Sequence, residues 1–297
     1  MRAPARPARE YTMAQPNPKV QRNPTTPRLR PFLKWAGNKY RIIDRILEVL
    51  PAGGRLIEPF AGSAAVFLNT DYERYLLADT NADLINLYKT LKREGQRFID
   101  ECAPLFVDRN NRPERYYRLR EEFNRCEEPR RRAALFVYLN RHGYNGLCRY
   151  NASGGFNVPF GRYKRPYFPA AEMLAFHRKA KAARAVFRQW DFARAIGQAE
   201  AGDVVYCDPP YVPLSLSANF TAYSPGGFDL ERQRSLAEIA ATAAQRGIPV
   251  LISNHNTDFT LNAYRGARQV SQFEVQRFIS CNGHRREHAG ELLALFA

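Results

Sequence analysis

Apolar residues in this chain recur with two periods, and the changes from one period to the other divide it. Ile42, Ile43, Ile46, Leu47 and Leu50 fall on one helical face, and Pro51, Gly53 and Gly54 end that helix. Arg55–Glu58 reads as a short strand running into the turn Pro59-Phe60-Ala61-Gly62-Ser63, with a helix through Val66 and Leu68 behind it. Residues 75–78 form a second strand closed by Asp79, and Asn81 is placed to cap a helix carrying Leu84, Ile85, Leu87, Tyr88 and Leu91. Strand, glycine turn, helix, strand and acid, in that order, outline a nucleotide-binding βαβ unit.

From residue 92 to 140 the pattern is helical only and rich in Arg, Glu and Tyr. Residues 141–167 have little periodicity, and Phe156-Asn157-Val158 after Ser153-Gly154-Gly155 suggests a hairpin arm. Alternation of strand and helix resumes near 185. A buried strand at Asp203–Cys207 ends in Asp208-Pro209-Pro210-Tyr211, an amphipathic helix covers 229–245, and 248–253 is another strand. Residues 269–276 and 292–296 make a terminal antiparallel pair. The expected fold is therefore α/β, a Rossmann-like sheet interrupted by a helical, basic insertion. Residues 1–30, rich in Arg and Pro, lack apolar periodicity and read as a disordered arm.

Composition adds the partner. Forty-five Lys and Arg against 29 Asp and Glu leave a formal charge of +16, which attracts polyanions and makes their binding salt-sensitive. A basic inert surface or a ribosome-associated protein has the same signature, so charge alone does not settle the matter. Cys102, Cys126, Cys148, Cys207 and Cys281 are scattered without a C-x-x-C pair, as expected of reduced thiols in the cytoplasm. The five histidines make no metal-binding spacing, since His284 and His288 lie four apart in a Gly/Arg-rich stretch; no metal is expected. No apolar run approaches the roughly 18 residues of a membrane span, and the N-terminus lacks a signal-peptide core. A soluble, intracellular chain with no membrane partner is expected.

Four segments carry candidate chemistry. Asp208-Pro209-Pro210-Tyr211 suits transfer to an exocyclic amine, whose lone pair must first be freed from conjugation with its ring. A carboxylate accepting one N–H and the carbonyl of Pro209 accepting the other favour that geometry; the prolines stiffen the turn, and Tyr211 offers a face for an extruded base. A rigid turn with no chemistry has the same sequence. In the second segment, Glu58 to Ser63 with Asp79, Gly62 allows close backbone approach and the acid suits a ribose diol; a plain tight turn is the alternative. The third, Phe32 to Lys39, places Trp35, Lys34 and Lys39 around a small-residue turn able to clamp a nucleoside, or simply starts a helix on a packed Trp. The fourth interleaves basic, aromatic and amide residues with glycines over 140–151 and 159–167, as a flexible loop reading base edges and phosphates does.

Together these segments closely resemble the Dam-type DNA adenine-N6 methyltransferases, which act on GATC and belong to the alpha group of amino-methyltransferases. The resemblance runs from Pro31 to Leu295 and includes Lys34-Trp35-Ala36-Gly37, Tyr144 to Asn151, Asn157 to Gly161, Asp208 to Tyr211, Leu251 to His255 and Glu291 to Leu295. It implies a site-specific enzyme moving a methyl from S-adenosyl-L-methionine to a flipped adenine in double-stranded DNA, without a metal. Trp35, Lys39, Phe60, Gly62, Asp79 and Asp208 are its implied cofactor contacts. Asp208, Pro209, Pro210 and Tyr211 are its implied catalytic turn. Lys34, Arg120, Tyr144, Asn145, Leu147, Arg149, Asn151, Pro159, Arg162 and Tyr163 are its implied DNA contacts, with Arg149 reading a guanine and Tyr144 filling the gap left by the flipped base.

The implied domains are the arm at 1–30, a cofactor-binding part at 31–91, a target-recognition insertion at 92–167 and a catalytic part at 168–297. A bacterial, nucleoid-associated cytoplasmic monomer is implied, in DNA replication and mismatch repair or beside a cognate restriction endonuclease. Two departures stand out: Ala64 where the family loop often has a last glycine, and the N-terminal arm. The rival readings are a non-catalytic DNA-binding regulator and an RNA or protein amino-methyltransferase; protein-glutamine enzymes usually carry Asn at the position of Asp208.

Overall fold

The computed structural model describes residues 27–213, 228–276 and 288–297. The body of the proposed arm, and the His284–His288 stretch, lie largely outside them. Leu29 already belongs to the folded body, its N–H donating to Asn69 Oδ1 at 3.0 Å.

Helix α1 (Ile43–Val49) leads into β1 (Arg55–Glu58), then α2 (Ala65–Leu68), β2 (Arg74–Ala78) and α3 (Ala82–Glu94). Asn81 caps α3 as its sequence position predicts, accepting from Leu84 N–H at 3.0 Å. The long connection out of β2 adds α4 (Gln96–Cys102), α5 (Pro113–Arg125), α6 (Pro129–His142) and α7 (Ala170–Ala182) before β3 (Val186–Arg188). Then come α8 (Phe192–Gly197), β4 (Asp203–Cys207), α9 (Leu230–Gln245), β5 (Val250–His255), α10 (Asp258–Ala263), β6 (Gln269–Gln276) and β7 (His288–Phe296). Where a hairpin is expected at 150–158, the backbone makes a single bridge, Tyr150 to Phe156, and no strand. Glycines and the Asn151 turn shorten the pairing there.

The seven strands among the described residues run in the order β3-β2-β1-β4-β5-β7-β6. The first five are parallel and β7 is antiparallel to both neighbours, so the terminal pair predicted from sequence closes one edge. Strand alternation sorts the core into two layers. Leu56, Tyr75, Leu77, Val204, Tyr206 and Leu251 join the layer under α1–α3, α6 and α7. Ile57, Val205, Cys207, Val250 and Ile252 join the layer under α8 and α9. This is a Rossmann-like α/β sheet, helices on both faces.

The chain leaves β1 toward one layer and β4 toward the other, although these strands are neighbours. Their carboxyl ends therefore flank the switch point at which open α/β sheets open a crevice. At the opposite ends Arg55 clamps Asp203 with Nε on Oδ1 at 3.0 Å and Nη2 on Oδ2, fixing the register of the same two strands.

Candidate active site

The turn after β4 places Asp208 at that crevice. Lys39 Nζ lies 2.8 Å from Asp208 Oδ1, and Ser253 on β5 donates to the same oxygen at 3.2 Å. Both partners meet Oδ1; Oδ2 takes no hydrogen bond among the described residues. Burial raises the Asp208 pKa, while Lys39 and Ser253 oppose it by stabilising the ionised form.

The rest of the turn is braced by residues distant in sequence. Gln233 on α9 donates to the Pro210 carbonyl at 2.7 Å and is itself held by Asn254 at 3.0 Å. Asn254 also accepts from Val212 N–H at 3.1 Å. The Pro209 carbonyl accepts nothing among the described residues, so of the two proline carbonyls it is the one left to a ligand. Tyr211 has Lys39 Nζ 4.4 Å from its ring centre and packs at a steep angle to His255, their ring centres 4.6 Å apart, and its hydroxyl donates to Glu291 at 3.2 Å. Ser253, Asn254, His255 and Glu291 lie within strings that carry the family resemblance, yet no role for them is legible in the sequence. Gln233 gives no signal there at all, as one polar position on an amphipathic helix.

Across the crevice, the turn after β1 carries Gly62 at φ +44°, and a Cβ there would come within 3.1 Å of Trp35 Nε1. The indole thus lies directly on backbone that only glycine leaves bare. Asp79 at the end of β2 accepts Gly62 N–H at 3.1 Å and Asn81 N–H at 2.9 Å; burial raises its pKa against those two bonds. Phe60 stacks on Phe192, their ring centres 5.8 Å apart. Beneath the turn, Glu58 is 2% exposed with Oε1 unpartnered, and burial beside the Asp208 carboxylate pushes its pKa up to about 8. Ala64, the departure from the family glycine, adopts φ 58° and ψ 34°, a left-handed conformation that glycine suits better.

Trp35 and Lys39 share one loop with Lys34, which faces the other segment. Buried Asn140 on α6 accepts Lys34 N–H at 2.9 Å and donates to its carbonyl at 2.7 Å. Lys34 Nζ sits 3.8 Å above the Tyr163 ring, and burial beside Arg141 lowers its pKa to about 8. Tyr144, 51% exposed, and Leu147 stand out from a loop in which Asn145 has φ 52°; Arg162 has φ 50° in the loop beside it. Non-glycine residues held at positive φ cluster where a backbone is shaped for a ligand. Tyr144 N–H bonds the Pro159 carbonyl at 2.9 Å, which joins the two loops.

Two implied DNA contacts do structural work in this state. Arg120 donates to the Val158 carbonyl at 3.0 Å, and Asn151 accepts from Ser153 and Gly155 amides to shape its own turn. Tyr150 ties the segment to α3 through Asp83 Oδ2 at 2.7 Å, an acid also gripped by Arg132. Among the described residues no group of His, Cys, Asp or Glu is arranged to hold a metal ion, and no helix is long and apolar enough to cross a membrane.

A Rossmann-like sheet with an Asp-Pro-Pro-Tyr turn at its switch point, opposite a glycine turn closed by an acid, is the architecture of a methyltransferase. The model of D12 class N6 adenine-specific DNA methyltransferases matches residues 35–278, and the chain belongs to that family. It is 53% identical over 267 residues to the DNA adenine methylase of Salmonella typhi and equally to that of Escherichia coli K12, covering 90% of this chain and 95% of each relative. It is 52% identical over 268 residues to the DNA adenine methylase of Vibrio cholerae serotype O1 El Tor Inaba N16961, covering 90% of this chain and 96% of that one. The chain is an adenine-specific DNA methyltransferase.

Proposed function

We propose that this enzyme methylates N6 of the adenine in duplex GATC, on a base turned out of the helix, with S-adenosyl-L-methionine as donor. The observation that carries the mechanism is the asymmetry at Asp208: Oδ1 is tethered by Lys39 and Ser253, and Oδ2 is left for an incoming amine. Oδ2 accepts one N6–H and the Pro209 carbonyl the other, which draws the nitrogen lone pair out of conjugation. Tyr211, pinned through Glu291, supplies the stacking face.

When bound, the donor would supply a methyl on a sulfonium: as the N–C bond forms the C–S bond breaks to a neutral thioether, and the amine sheds its proton after attack, so no strong base is needed. Gly62 bared beneath Trp35, the Asp79 carboxylate, Phe60 and Lys39 fit a nucleoside carrying an amino-acid chain. The work of the protein is alignment.

Residues 92–167 carry target recognition in this reading. Exposed Tyr144 and Leu147 enter the stack beside the flipped base, Lys34 and Tyr163 face the bases or phosphates, and Arg149 addresses a guanine. The GATC assignment is supported by the resemblance at Tyr144 to Asn151 and at Asn157 to Gly161. The test is digestion of DNA from cells expressing the chain, with a nuclease that cuts only unmethylated GATC. Protection of every GATC site is the expected result; complete cutting, with methylation found at another sequence or absent, refutes the assignment.

A further inference from the structure

Arg149 is an exposed arginine on an aperiodic loop, the kind of side chain that samples many rotamers and loses that freedom when a partner fixes it. Here it is fixed already. Its Nε–H donates to Asn157 Oδ1 at 2.8 Å, and Nη2 approaches the Asn157 carbonyl at 3.4 Å. The Asn157 N–H returns a bond to the Arg149 carbonyl at 3.1 Å, so the two residues face each other across the loop through backbone and side chain alike.

Asn157 can hold Arg149 only if Asn157 is itself held, and its neighbours see to that. Phe156 and Val158 are 2% and 0% exposed, and strand-like alternation turns Asn157 away from them toward Arg149. Phe156 packs edge-on against Phe123 of α5, their ring centres 5.7 Å apart. Asn124 grips the Phe156 backbone on both sides, accepting its N–H at 2.8 Å and donating to its carbonyl at 3.2 Å. The Val158 carbonyl accepts from Tyr116 and Arg120, each at 3.0 Å. The residues on either side of Asn157 are thus fastened to α5, and Asn157 between them presents its acceptor to Arg149.

A guanidinium has two bidentate faces: the side formed by Nε–H and Nη2–H, and the end formed by Nη1–H and the second Nη2–H. Asn157 occupies the side. Among the described residues the end meets no acceptor, and it matches the O6 and N7 acceptors of guanine. We propose that Asn157 is a positioning residue for specificity, which commits Arg149 to end-on reading of guanine before DNA arrives. The inference rests on the reading that Arg149 addresses a guanine.

The test compares kcat/KM on duplexes containing GATC and AATC for the full-length wild type, Asn157→Ala, Asn157→Asp and Arg149→Ala. Asn157→Ala is expected to lower the GATC preference about 10-fold, a part of what Arg149→Ala removes. Asn157→Asp keeps the acceptor and is expected to keep the preference, even where its charge raises KM for both duplexes. Donor affinity, measured on the same proteins, stays at the wild-type value. An unchanged preference in Asn157→Ala, with the preference lost in Arg149→Ala, overturns the positioning role and leaves the reading of Arg149 standing. An unchanged preference in Arg149→Ala overturns that reading and the positioning role with it. Equal loss in Asn157→Ala and Asn157→Asp also overturns the proposal, because the acceptor would then be irrelevant.

Discussion

Two carboxyl groups stand at the ends of β1 and β4, and burial raises the pKa of both. An ammonium and a hydroxyl on one oxygen of Asp208 oppose that rise, whereas Glu58 Oε1 has no partner. Burial first, then the Asp208 charge, lifts Glu58 from 4.5 to about 8. A carboxyl whose folded pKa lies above its unfolded value favours folding most at low pH. That contribution is complete below about 4.5 and disappears as pH rises through about 8. Wild-type unfolding free energy, measured by chemical denaturation, should therefore fall relative to Glu58→Gln as pH rises between these limits. Parallel pH profiles for the two proteins would show that Glu58 is not the titrating group.

At the scale of elements, the turns that build the site carry strain that the helices behind them do not. Ala64 enters α2 in the left-handed region, where a Cβ costs roughly 1–2 kcal/mol. Ala64→Gly relieves that strain while losing a buried methyl and adding chain entropy, terms of roughly 0.8 kcal/mol and 0.5–1 kcal/mol. The changes nearly cancel, so this variant should melt close to wild type. Ala134→Gly, fully buried within α6, has no strain to relieve and should lose roughly 2 kcal/mol. Equal losses in calorimetry would contradict the strain at Ala64.

The same contrast explains how much was legible in the sequence. β1, β2, β4, the amphipathic helix near 230–245 and the cap at Asn81 follow from local periods and turn residues, and the structure has them where they are expected. The aperiodic 141–167 segment hides its organisation because the contacts fixing it are long-range, such as Asn140 on Lys34 or Asn124 on Phe156. For the same reason the Asp-Pro-Pro-Tyr turn is visible as a motif, but its bracing by Gln233, Ser253, Asn254 and Glu291 is not.

For the whole molecule, a +16 charge and a loop system that projects Tyr144 and Leu147 imply a DNA complex built on phosphate neutralisation with a few base contacts. Affinity for duplex DNA should fall linearly on a log–log salt plot, by more than about 10-fold between 50 and 200 mM salt. Affinity independent of salt would remove phosphate contacts from the account. Donor binding, which the proposed function assigns to the crevice between β1 and β4, should be nearly insensitive to the same change.

Alignment of an amine by one carboxylate oxygen is the claim on which the chemistry turns, and single-turnover transfer of a tritiated methyl to duplex GATC by Asp208→Ala tests it most directly. With donor and DNA both saturating, the account predicts a rate reduced by at least about 100-fold, because the oxygen that aligns the amine is removed. Transfer at the wild-type rate would contradict it.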